Sequence, residues 1–145
     1  MHSLRTHARL GALALLLAAL LATTGCGASS AEQEALKEAE YHYQLAANHF
    51  GANQTAQAIR ELTLALEQQP NHAEALHLMG FLYMGRKQYP EAVVNFKAAL
   101  EAKPDFYNCM NNLGVAYLFM ERWEDAAAIY EQLRGATLYT SPWLA

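Results

Sequence analysis

The chain has 145 residues, 53% of them hydrophobic, with a formal net charge of −4 and two cysteines. Beyond Arg5 and Arg9 no block of Lys or Arg appears, which argues against nucleic acid and against electrostatic docking on anionic lipid.

The stretch from Met1 to Gly25 reads as an export signal. Met1 to Arg9 carries two arginines and no acid, Leu10 to Leu21 is an unbroken apolar run, and Ala22 to Gly25 is small and polar. As a helix the apolar run rises only about 18 Å, short of a bilayer core, so the segment does not read as a permanent span. Its removal leaves eight basic and fourteen acidic residues from Cys26 to Ala145, a net charge of −6.

Gly27 to Ser30 forms a short tether. A first helix follows from Ala31 to about Phe50, with Glu32, Glu34, Glu38 and Glu40 loading its early turns, and Gly51-Ala52-Asn53 closes it. A second helix spans Thr55 to Gln68 and ends before Pro70. Asn71 is expected to cap a third, from His72 to Met84, stopped by Gly85. Pro90 opens a fourth, to Ala102. Asp105 is expected to cap a fifth that reaches Met120, and a sixth runs from Trp123 to Arg134, ended by Gly135. Six helices with no alternating strand pattern predict an all-α fold. Ser141-Pro142-Trp143-Leu144-Ala145 then reads as the start of a seventh helix, with a cap, a first-turn proline and apolar residues.

These helices repeat. The shift that carries Pro70 onto Pro104 also places Ala58 on Ala92 and Ala126, Leu62 on Phe96 and Tyr130, and His49 on Tyr83 and Tyr117. A unit of that length is one helix-turn-helix hairpin that cannot bury its apolar face alone, so the period dictates a stacked solenoid. Three repeats result, at 39–72, 73–106 and 107–140. Leu133 and Leu138 break the pattern where a small residue and a proline are due. With no polar helix to close the stack, the chain reads as a piece of a longer solenoid, a partner that covers the end being the other reading.

The residues Met79-Gly80, Tyr83, Ala92, Phe96, Ala99 and Pro104, followed by Leu113-Gly114, Tyr117, Ala126 and Tyr130, resemble the tetratricopeptide repeat. In this reading Gly80, Gly114 and the alanines sit where the two helices of a hairpin cross. The resemblance implies that the first helix of each pair lines a concave groove. Carried onto this chain, the groove positions are Glu40, Tyr43, Ala47, Phe50 and Gly51, then Glu74, His77, Phe81, Met84 and Gly85, then Asn108, Asn111, Val115, Leu118 and Phe119. The expected peptide-binding set is Tyr43, Ala47, Phe50, His77, Phe81, Met84, Asn111, Val115, Leu118 and Phe119. It is mostly apolar and holds no lysine of the kind some relatives use to clamp a terminal carboxylate. It suits the apolar face of a helix or an extended hydrophobic peptide.

No cofactor, metal or catalytic group is expected. His42 and His49 stand two turns apart, and His72 and His77 five residues apart, so none forms the i, i+4 pair of a helical zinc site. Cys109 reads as a small apolar filler.

Thr23-Thr24-Gly25-Cys26 resembles a bacterial lipobox, which implies lipidation of Cys26; an ordinary cleavage site near Ser29-Ser30-Ala31, or pairing of Cys26 with Cys109, are the other readings. By resemblance Gly27 directs the lipoprotein to the outer membrane. An exported, lipid-anchored tetratricopeptide stack, with repeats of the form Asn112-Leu113-Gly114-Val115-Ala116-Tyr117, resembles the type IV pilus biogenesis lipoproteins, the pilotins. That resemblance implies a non-enzymatic adaptor on the periplasmic face of the outer membrane that binds secretin subunits and promotes their assembly. A lipoprotein adaptor for peptidoglycan hydrolases or another envelope complex is the alternative, and a soluble periplasmic protein is the alternative location.

Overall fold

In a computed structural model, residues 30–140 are described, with side chains as far as Gly135. The chain divides into two compact units, Met1–Lys37 and Glu38–Ala145. Of the first, only residues 30–37 are described, and they are helical. The lipobox-like Cys26, the signal segment and the seventh helix expected at 141–145 lie outside the described residues.

Every described element is a helix. The first, α1, covers residues 30–51. After it come α2 (Thr55–Gln68), α3 (Ala73–Gly85), α4 (Tyr89–Ala102), α5 (Tyr107–Phe119) and α6 (Trp123–Thr140). Packing follows chain order: α2 meets α3, α3 meets α4, α4 meets α5 and α5 meets α6, while α3 also touches α5. That is an all-α stack of helical hairpins, as the sequence period requires.

The apolar residues form two adjoining clusters. One gathers Ala46, Ala58, Leu62, Ala65, Met79 and Leu82; the other centres on Phe96, Cys109, Leu113 and Tyr117. Leu66 and Tyr83 pack against both, which ties one hairpin to the next. Alanines at the crossings leave room for close backbone approach, while Phe96 and Leu62, with no exposed surface, fill the gaps.

The turn inside each hairpin is the same turn three times. Asn53, Lys87 and Glu121, each one repeat after the last, have φ of 59°, 62° and 57°, the left-handed region. The next residue in each case donates its N–H five residues back: Gln54 to the His49 carbonyl at 2.9 Å, Gln88 to Tyr83 at 2.9 Å and Arg122 to Tyr117 at 3.0 Å. These bonds close the last helical carbonyls in the manner of a Schellman cap. Gly85 is therefore the last residue of α3, and the left-handed position is Lys87, two residues on.

Three expected helix ends are corrected. His72, not Asn71, caps α3, its Nδ1 accepting from the Ala75 N–H at 3.4 Å. Asp105 does not cap α5; the chain enters through Phe106 without a side-chain cap. The largest correction is at α6, which does not stop at Gly135 but continues to Thr140. The physical reason lies in the sequence: Leu138 replaces the proline that would have ended it, and one glycine lowers helix propensity without breaking the hydrogen-bond ladder.

Candidate binding groove

The first helices of the hairpins, α1, α3 and α5, bring their apolar faces together. Phe50 at the end of α1 meets Phe81 of α3 edge to face, the centroids 5.7 Å apart and the planes at 83°. Both rings are 38% exposed. A cavity of about 350 Å³ opens on one side, lined by Phe50, His77, Leu78, Phe81, Asn108, Asn111 and Asn112. A second, of about 180 Å³, lies against the same two rings and is lined by Phe50, Thr55, Phe81, Leu82, Gly85 and Arg86.

His77 lines the larger cavity. Its ring sits 4.6 Å from that of Phe106 and 5.8 Å from that of Phe96. Burial lowers its pKa, against the opposing pull of Glu74. The neutral ring accepts at Nε2 from the Asn112 amide at 2.9 Å. This cavity therefore presents apolar and amide surface without a formal charge.

Charges collect at one edge instead. Lys103 Nζ lies 2.9 Å from Glu74 Oε1 and 5.0 Å from the Phe106 centroid. The Lys103 hydrogen bond holds the Glu74 carboxyl below its usual range, and the same bond raises Lys103. The buried His72 stands between two acids, Nε2 at 3.3 Å from Glu40 and Nδ1 at 3.5 Å from Glu74. Tyr43 packs its ring 5.1 Å from His72, and burial, then Glu74 and Glu40, push its phenol up.

Of the ten residues expected in the groove, Phe50, His77, Phe81 and Asn111 line the larger cavity together. Tyr43 is half-buried against His72, and Met84 is half-buried on the core. Ala47 and Val115 are half-buried and line neither of these cavities. Leu118 and Phe119 are exposed farther along α5, where Phe119 stacks face to face on Tyr89 at 5.1 Å. Leu78 and Asn112 line the larger cavity too, although neither is among the groove positions the repeat implies. They stand one repeat apart, each next to His77 or Asn111, so the period itself held the signal.

Of the other described histidines, His42 and His49 each meet a polar side chain. His42 Nδ1 is 2.8 Å from Glu61 Oε2, and His49 Nδ1 is 2.6 Å from Gln54 Oε1. Among the described residues no group of three or more His, Cys, Asp or Glu could hold a metal ion. No described helix is long and apolar enough to cross a membrane.

Residues 83–137 match the family model of the tetratricopeptide repeat. The fold is the tetratricopeptide-repeat solenoid. MamA, in its crystal structure, is similar at 20% identity and a TM-score of 0.70, over 72% of this chain and 61% of MamA. The chain thus spans less than two thirds of that protein. The second tetratricopeptide domain of Spaghetti (RPAP3), solved bound to the HSP90 peptide SRMEEVD, is similar at 17% identity and 0.68, over 72% of this chain and 95% of that one. The tetratricopeptide domain of Arabidopsis OM64 is similar at 14% and 0.66, over 70% and 84%. No curated protein matches the sequence.

Proposed function

We propose that this protein is a non-enzymatic adaptor that holds a segment of a partner protein in the groove centred on Phe50 and Phe81. One observation carries the reading: an aromatic pair left exposed between two cavities, on the face where the first helices of the tetratricopeptide hairpins meet. Solvent-facing aromatic surface of this kind marks interaction sites. The Spaghetti domain, of the same fold, holds a peptide.

The export signal and Cys26 give the adaptor its place: a lipoprotein on the periplasmic face of the outer membrane. Resemblance to pilotins supplies the partner, secretin subunits of a type IV pilus. Purified secretin segments titrated against the full-length protein in detergent test this directly. Saturable binding that Phe81→Glu abolishes while helicity is kept supports the groove. Binding that survives Phe81→Glu unchanged refutes it. Normal secretin multimers in a strain lacking the gene refute the pilotin role. Labelling of cells with a palmitate analogue, with Cys26→Ser as control, tests the anchor.

A further inference from the structure

The two cavities are consecutive along α3. Leu78 lines the larger, Leu82 the smaller, and Phe81 stands between. Four helical residues advance about 6 Å. Side chains two apart on one face of an extended chain are spaced about 7 Å. A strand lying over Phe50 and Phe81 can therefore lower one apolar side chain into each cavity.

Asn108 and Asn111 decide between a strand and a helix. They stand three residues apart on α5, on one face, and both line the larger cavity. Among the described residues neither side chain has a hydrogen-bond partner. Each carboxamide offers an acceptor and two donors, which matches the free C=O and N–H groups of an extended main chain. A docked helix has already satisfied its own backbone. It would bury these amides unpaired, which disfavours it.

Charge gives the direction. Nothing that lines the larger cavity is charged, and Glu74 at that end is taken by Lys103. Arg86 lines the smaller cavity, and among the described residues no carboxylate is within ion-pair distance of it. An acid of the partner fits there.

We infer that the groove takes an extended segment with apolar side chains at two positions two residues apart, one on each side of the Phe50–Phe81 pair. Asn108 and Asn111 hold its main chain, and an acidic group follows toward Arg86. The inference rests on the groove reading above and narrows its ligand class.

A random nonapeptide library displayed on phage and panned on the full-length protein in mild detergent tests it. The expected consensus is apolar-x-apolar followed by Asp or Glu. The best synthetic peptide should lose roughly fivefold to tenfold in affinity on Asn111→Ala, or on N-methylation of the amide between its anchors. Panning on Arg86→Glu should exchange the acid for Lys or Arg. Peptides that need Phe81 but space their apolar residues at i, i+3 or i+4, or ignore both Asn111→Ala and Arg86→Glu, overturn this inference and leave the groove standing. Failure to enrich any peptide over the Phe81→Glu variant overturns both.

Discussion

Gly80 and Phe96 meet where there is no room for a methyl group. A Cβ on Gly80 would lie 2.7 Å from Phe96 Cε1, 2.8 Å from Cδ1 and 3.2 Å from the Ala92 carbonyl oxygen. One repeat later Gly114 stands in the same relation to Tyr130, with 2.7 Å to Cζ. The α3–α4 and α5–α6 crossings are thus set by a glycine under an aromatic ring.

Gly80→Ala should therefore destabilise the fold, although alanine in a helix interior ordinarily gains about 0.5–1 kcal/mol over glycine. Phe96 has no exposed surface and nowhere to swing, so overpacking of about 1–3 kcal/mol wins. Tyr130 is half-buried and free to tilt outward, so Gly114→Ala should cost less than half as much. Urea unfolding of the two variants checks the ranking. A Gly80→Ala protein as stable as the parent would mean that the crossing is looser than these distances require.

The crossings were legible because a small residue and a ring recur at fixed offsets, and the period needs only that pattern. The helix ends were less legible. Asn71 and Asp105 are good capping types in plausible places, but the turn geometry gives the α3 cap to His72 and leaves α5 without one. In the groove, Phe50, His77, Phe81 and Asn111 could be placed by carrying positions from one repeat to the next. Which of the ten surround a cavity could not, because that depends on how far successive hairpins rotate. Tyr43 turns against His72 and Met84 against the core, while Leu118 and Phe119 stay farther along α5.

Lys87 and Glu121 occupy the left-handed region that glycine enters freely and other L-residues enter at about 1 kcal/mol or more. Lys87→Gly and Glu121→Gly should each stabilise by about 0.5 kcal/mol, the strain relieved being partly offset by the greater freedom of glycine in the unfolded chain. Asn53→Gly should change little, since asparagine tolerates this backbone. Lys87→Val should lose more than about 1 kcal/mol. Thermal melts of the four variants test the order. Stabilisation by Lys87→Val would refute the turn geometry.

His77 makes the groove sensitive to acid. Burial sets its pKa below the ordinary 6.5, so between those two values the unfolded chain binds more protons than the folded one. Its contribution to stability is complete above about pH 6.5 and is lost as the pH falls through the folded value. Protonation also turns Nε2 from acceptor to donor and breaks the bond from Asn112. Glu74 acts in a lower window, its depressed carboxyl giving stability above its ordinary 4.5 that disappears below it. His77→Phe should flatten the stability profile just below pH 6.5 while leaving the fall below 4.5 in place. The other histidines are common to both proteins, so the difference between the two profiles belongs to His77. Identical profiles would refute its neutral, buried role.

Cys109 should be chemically silent until the fold opens. Its thiol is fully buried, donates to the Phe96 carbonyl at 3.4 Å, and burial pushes its pKa up to about 12. Thiolate is the reactive form, and at pH 8 almost none is present in the folded state. Labelling must then proceed through unfolding, slowed in proportion to stability; a domain stable by about 5 kcal/mol would react some 10³-fold to 10⁴-fold more slowly than when denatured. With Cys26→Ser making Cys109 the sole thiol, a disulfide reagent at pH 8 should show this suppression in buffer and full reactivity in denaturant. Gly80→Ala, whose clash falls on the same Phe96, should speed labelling by the factor that its loss of stability dictates. Prompt labelling of the parent protein in buffer would show that the α3–α4–α5 core is not closed over Cys109.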